Sequence, residues 1–117
     1  MLTKLENFRA IVERDTRARY TADWRRDHDR FVAGDPRGMN YPLSIHEPQM
    51  QVRIKMGRKY ANVDVGSSGK YMVELSTGAI YGIKAYGVIH RGHYYGTLDT
   101  INDWFWGDYV GRKLQTA

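Results

Sequence analysis

Cysteine is absent from this 117-residue chain, which removes disulfides, thiolate zinc sites and thiol nucleophiles together. A reducing, cytoplasmic setting is the natural expectation. No apolar run approaches the roughly 18 consecutive residues of a membrane span. The N-terminus, MLTKLENF, carries charge at once and has no apolar h-region. The expectation is a soluble, unexported protein with no membrane partner. No Gly-rich phosphate loop, Walker sequence or nucleophile elbow occurs, because Gly66-Ser67-Ser68-Gly69 reads as a turn. There is no low-complexity segment and no repeat of domain size. The only prolines are Pro36, Pro42 and Pro48. All three fall between Gly34 and Pro48, a segment with the signals of a long loop.

What is present is enough for one domain with a proper core: 42% hydrophobic residues, with nine tyrosines, three tryptophans and three phenylalanines. The formal charge is +5, from 18 basic and 13 acidic residues. That balance suits nucleic acid or an acidic protein surface as partner.

Residues 1–33 read as helical. Leu5, Phe8, Ile11 and Val12 recur at spacings of three and four. Thr3 and Glu6 have capping-box spacing. The stripe thins around Asp15–Ala18 and resumes at Tyr20, Trp24 and Phe31, so the pattern fits either two helices or one long one. The polar face is dense in arginine but interleaved with acids, and Glu13/Arg17 and Asp15/Arg19 are favourable i,i+4 pairs. A solvated, self-neutralising face is therefore the simpler reading than a phosphate-binding stripe.

After the 34–48 loop, residues 49–98 read as an antiparallel meander of about five strands. Met50, Val52, Ile54 and Met56 alternate with Gln51, Arg53 and Lys55. Strands follow over Tyr60–Val65 and Tyr71–Leu75, then two more between Ala79 and Asp99. Residues 99–117 read as a short helix carrying Ile101, Trp104 and Phe105, followed by a loosely held tail, GRKLQTA. The fold class is α+β: an N-terminal helix or helix pair packed on the sheet, closed by a short C-terminal helix.

The segment AIYGIKAYGVIHRGHYYGTLD (residues 79–99) gathers His90, His93, Lys84, Arg91 and four tyrosines. If Arg91-Gly92 is a two-residue turn, His90 faces His93, Val88 faces Tyr95, Tyr86 faces Thr97 and Lys84 faces Asp99, all on one face. Gly87 then opposes Gly96, with Trp104 or Trp106 lying over them. A bulge or longer loop would exchange the faces of one strand.

These residues bear on function in three ways. Arg53, Lys55, Arg58 and Lys59 put four cations in seven residues on a strand and its turn. With Lys84, Tyr86, His90, Arg91, His93 and Tyr95 they form a candidate binding surface, and Tyr60 and Tyr71 offer further flat rings for base stacking. Core packing is the competing explanation for the rings. Tyrosine and arginine also dominate protein–protein hot spots. A metal-independent nuclease would need an acid, a base and a cation, for which His90, His93 and Lys84 are the candidates, with His46 and Arg91 as further groups of the right type. Two histidines without an obvious third ligand do not make a metal site, and no cofactor is expected.

The run YMVELSTGAIYGIKAYGVIHRGHYYGTLDTINDWFWGDY resembles C-terminal segments of small proteins of tailed bacteriophages. The resemblance covers about the last third of the chain and transfers no catalytic or binding residue. It implies a phage setting, in which small basic accessory proteins bind nucleic acid or obstruct a host protein, including defence factors. The leading expectation is a non-enzymatic accessory protein that contacts nucleic acid through a basic-aromatic sheet surface. The alternatives are an inhibitor that binds a host or defence protein, and a small nuclease.

Overall fold

A single helix, α1, runs from Leu2 to Val32. The computed structural model describes residues 1–114. At about 1.5 Å per residue the helix accounts for most of the 53 Å longest dimension. Its apolar stripe buries Leu5, Phe8, Ile11 and Val12. The expected capping box does not form. The N-cap is Met1 with no side-chain cap, because Arg9 holds the Glu6 carboxylate at 2.7 Å.

The thin part of the stripe is a docking point. Asp15 and Thr16 are buried, and Asp15 Oδ2 accepts the backbone N–H of Trp106 at 2.9 Å. Thr16 satisfies its hydroxyl on the Val12 carbonyl one turn back, at 2.7 Å. The Glu13–Arg17 pair forms as expected at 3.2 Å. The expected Asp15–Arg19 pair does not, since Asp15 faces inward and Arg19 turns to Asp23 and Asp108.

The distal end of α1 is held by the segment that follows it. Trp24 Nε1 donates to the Tyr41 carbonyl at 2.6 Å and the Met39 N–H to the Asp27 carbonyl at 3.0 Å. The loop expected over 34–48 ends in two short helical turns, a 3₁₀ turn Leu43–His46 and α2, Glu47–Met50. Met50 therefore closes α2 instead of opening the first strand.

Five strands form one antiparallel meander in sequence order: β1 Val52–Met56, β2 Tyr60–Val65, β3 Ser68–Glu74, β4 Ala79–Ala85 and β5 Val88–Thr97. The expected α+β architecture is present. The C-terminal helix shrinks to a 3₁₀ turn, Ile101–Asp103, followed by a two-stranded ribbon of β6, Trp104–Phe105, with β7, Arg112–Lys113. The expected loose tail is engaged at Leu114, whose N–H donates to the Asp103 carbonyl at 2.8 Å; residues 115–117 lie outside the described part.

The turn of the last hairpin is Tyr86-Gly87, not Arg91-Gly92. Ala85 pairs with Val88, and Gly87 takes φ +75°, a conformation that a tight turn demands and glycine supplies without strain. Gly87 consequently does not face Gly96. Trp104 does approach Gly96, with its Nε1 at 3.7 Å from where a Cβ would stand. Lys84 does not face Asp99, which pairs with Lys4 at 2.8 Å.

Between α1 and the sheet the core is rich in aromatics. Trp106 is fully buried. Phe8 and Tyr71 meet it edge-on at 4.8 and 5.2 Å, and Tyr95 packs on Tyr71 at 5.6 Å, geometries that the ring quadrupole favours.

Candidate functional site

Strand alternation gives the sheet two unlike faces. Val52, Ala61, Val63, Tyr71, Val73 and Ile80 point to α1 and are buried. The register places Arg53 beside Asp64, Lys55 beside Asn62, Tyr60 beside Glu74 and Met72 beside Tyr81 on the opposite face. No helix covers that face among the described residues.

Its centre is built around Arg91. The guanidinium donates to the Tyr60 hydroxyl at 2.8 Å, lies 3.9 Å from Glu74 and sits 5.4 Å from the centre of the Tyr81 ring. Tyr94 packs against Tyr81 at 5.5 Å. Toward β1, Lys55 lies 6.0 Å over the Tyr86 ring. The Tyr86 hydroxyl donates to Asp64 Oδ2 at 2.9 Å, and that bond to a carboxylate raises the phenol's pKa. Tyr86 and Tyr94 are each 52% exposed.

Charge separates this face from the helix. Arg9, Arg14, Arg17, Arg19 and Arg26 all stand in ion pairs with acids on α1, in the loop or in the C-terminal segment. Residues 50–98 carry seven Lys and Arg against two acids. Arg53, Lys55, Arg58, Lys59 and Lys84 have no acidic partner within ion-pair distance among the described residues. Much of the net charge of the protein is thus unneutralised on the sheet.

The residues singled out from the sequence divide accordingly. Arg53, Lys55, Tyr60, Tyr86 and Arg91 share the uncovered face, with Arg58 and Lys59 in the turn at its edge. Tyr95 does not belong to it. It is 6% exposed and wedged between Tyr71, Trp104 and Trp106, as is Tyr71 in the same core, so neither offers a free ring. Tyr81 and Tyr94 were the rings left out of the sequence-derived set. Tyr94 falls on the wrong face when the turn is placed at Arg91-Gly92.

His90 and His93 do come together, though not across a turn. Gly82 pairs with His90 and Tyr81 with Tyr94, which leaves Arg91, Gly92 and His93 as an insertion in β5. The bulge folds the two imidazoles into a stack 4.1 Å apart. Glycines on both sides leave room for it. A Cβ at Gly82 would stand 3.0 Å from His93 Cβ, and one at Gly92 would stand 2.9 Å from the His90 ring. Lys84 has no register partner, since Ile83 pairs with Ile89 and Ala85 with Val88. Among the described residues it makes no hydrogen bond or ion pair to either histidine; the cation beside them in the chain is Arg91, whose guanidinium is turned to Tyr60 and Glu74. No three His, Asp or Glu side chains converge as metal ligands among the described residues.

A cavity of about 400 Å³ lies on the helix side of the sheet, where α1 leaves it. Thr16 and Tyr20 of α1, His93 and Tyr95 of β5, and the 107–110 segment wall it, and Lys70 of β3 lines it. Alternation from Tyr71 would turn Lys70 to the other face. However, Val63 pairs with Tyr71 and Asp64 with Gly69, so Lys70 is the extra residue of a bulge that re-aims it inward. Burial lowers its pKa from 10.5 to about 8. Nothing in the residue pattern singles out this lysine, because a bulge within a strand leaves no mark on residue type.

No helix among the described residues is long and apolar enough to cross a membrane. No family model, curated protein or solved structure matches this chain.

Proposed function

We propose that the protein binds single-stranded nucleic acid on the uncovered face of its sheet. The observation that carries this reading is the contrast in pairing: five of the seven helix arginines (all but Arg25 and Arg30) are held by acids, whereas Arg53, Lys55, Arg58 and Lys59 have no acidic partner among the described residues. Unpaired cations attract phosphates and release their counterions. Tyr60, Tyr81, Tyr86 and Tyr94 stand among those cations, and every base has a π-face that such rings can stack. Phosphate contacts would position the strand and the rings would hold its bases, with little sequence preference. A duplex, whose bases are already stacked, gains only the first of these. In this reading the protein is a small accessory protein of phage type, acting in the host cytoplasm without catalysis.

The test is fluorescence anisotropy with labelled single- and double-stranded DNA and RNA across a salt series, with the same mixtures run on gels to detect cleavage. Single strands should bind more tightly, and log K should fall with log salt at about 0.7 per phosphate engaged. Arg53→Ala with Lys55→Ala should flatten that slope by about 1.4. Absence of binding at about 50 mM salt would overturn the reading and leave inhibition of a host or defence protein as the function to pursue. Cleavage abolished by His90→Ala would make the protein a nuclease.

A further inference from the structure

Lys70 is a half-buried amine without an ion-pair partner among the described residues. Among the described residues its one hydrogen bond is donated to the Trp106 carbonyl at 2.8 Å, and that carbonyl already receives the Tyr71 hydroxyl at 3.1 Å. The two carboxylates that act on it electrostatically, Asp108 and Asp15, are both engaged elsewhere. Asp108 is held by Arg19 at 2.7 Å and Arg112 at 3.0 Å, and Asp15 by Arg14 and the Trp106 N–H. Withdrawing an ammonium from water is unfavourable unless it is paired, and the fold nevertheless uses a bulge to turn this one into a cavity. Structure alone does not require it, because Trp106 has a second donor.

The cavity itself is of ligand size. Glycines line it and let its walls approach one another closely: a Cβ on Gly107 would strike the Asp15 carbonyl of α1 at 2.2 Å, and one on Gly82 would press on His93. Around Lys70 the walls are aromatic: Tyr20, Tyr71, Tyr95 and the His93 imidazole, with the Tyr109 ring, 95% exposed, at the mouth. Two of the three ammonium donors are not engaged by any described residue. We infer that this cavity is a binding site for a small organic anion, a flat ring bearing one carboxylate or phosphate, with the ring among the tyrosines and the anionic group on Lys70. The site lies on the helix side of the sheet and is independent of the proposed nucleic-acid face.

The experiment is isothermal titration of the full chain with 4-hydroxybenzoate, uridine 5′-monophosphate and adenosine 5′-monophosphate. The neutral counterparts 4-hydroxybenzamide, uridine and adenosine serve as controls, together with inorganic phosphate. At least one ring-bearing anion should bind with a Kd of about 1 mM or tighter, and at least about tenfold better than its neutral counterpart. Whether the benzoate or a nucleotide is preferred separates a carboxylate from a phosphate ligand. Lys70→Met, which keeps the stem and removes the donors, should lose that preference. Val110→Trp, which narrows the mouth at an exposed position, should lose binding with the core untouched and serves if the Lys70 variant does not fold. Equal binding of anion and neutral analogue, unchanged binding by the variants, or no binding by any of the three anions would overturn the inference.

Discussion

Lys70 and Tyr71, neighbours on β3, donate to the same acceptor, the carbonyl oxygen of Trp106, at 2.8 and 3.1 Å. Adjacent residues of a regular strand point to opposite faces, so the shared acceptor exists only because of the bulge at Lys70. The Trp106 N–H is held from the other side by Asp15. One peptide segment is thus clamped between helix and sheet, and this clamp closes the core and forms one wall of the cavity.

The helix side of the clamp carries the first prediction. Asp15→Ala leaves the buried Trp106 N–H without an acceptor and should destabilise the fold by about 2–3 kcal/mol. Asp15→Asn retains an acceptor oxygen and should cost about half as much. Urea unfolding measures both, and equal midpoints for Asp15→Ala and the parent chain would show that the contact contributes nothing.

The sheet side gives a pH signature. The folded Lys70 pKa, about 8, lies below its ordinary 10.5 because of burial. Between those values the unfolded chain binds more protons, so stability rises with pH across that window. The opposing effect of burial below pH 8 is present in full and disappears above 10.5. Burial raises the Tyr71 phenol above its usual 10, and this lowers stability at pH above 10. Comparing Lys70→Met with the parent chain cancels the tyrosine contribution. The stability advantage of the variant should shrink from pH 8 to 10.5, and a pH-independent difference would contradict the assignment.

Strands β1 and β2 were legible because each follows simple alternation and ends at a glycine turn, and β3 was legible from Tyr71 onward, past its bulge at Lys70. The single helix was legible in its first half, from Leu5, Phe8, Ile11 and Val12. Asp15 and Thr16 broke the stripe because polar residues docked on a segment 91 residues away look the same in sequence as exposed ones. The hairpin was misread because Arg91-Gly92 and Tyr86-Gly87 are equally plausible glycine turns. The choice depends on the insertion in β5, which Gly82 and the His90–His93 stack stabilise. The cationic half of the candidate face survived this error, since Arg53 and Lys55 lie on β1; the tyrosine half survived in part, with Tyr60 and Tyr86 on the face and Tyr95 exchanged for Tyr94.

The position of that turn is open to direct test. Gly87→Ala places a Cβ at φ +75°, in open space, and should cost about 1 kcal/mol from backbone strain alone. Gly87→Asn, which tolerates the left-handed region, should cost less. At Gly82 the clash is with His93 Cβ, so Gly82→Ala should disturb the histidine stack, visible as shifted imidazole resonances, where Gly87→Ala leaves them in place. The same resonance change in both variants would argue against a turn at Tyr86-Gly87.

Ring and charge contributions to nucleic-acid binding should be separable at neighbouring positions. Tyr94→Leu removes a half-exposed ring beside Tyr81 and leaves every cation in place. If the ring stacks a base, affinity should fall by about 1–3 kcal/mol with no change in the salt slope. Arg53→Ala removes a cation without an acidic partner and should reduce the slope by about 0.7. Arg91 has two roles, since it braces Tyr60 and Tyr81 as well as carrying charge, so Arg91→Ala should change both affinity and slope. Arg17 is the control. It is held by Glu47 at 2.7 Å and Glu13 at 3.2 Å, so Arg17→Ala should leave affinity and slope unchanged while lowering stability. Salt-series anisotropy on the four variants decides the matter. An Arg17→Ala effect as large as that of Arg53→Ala would move the binding site from the sheet to the helix.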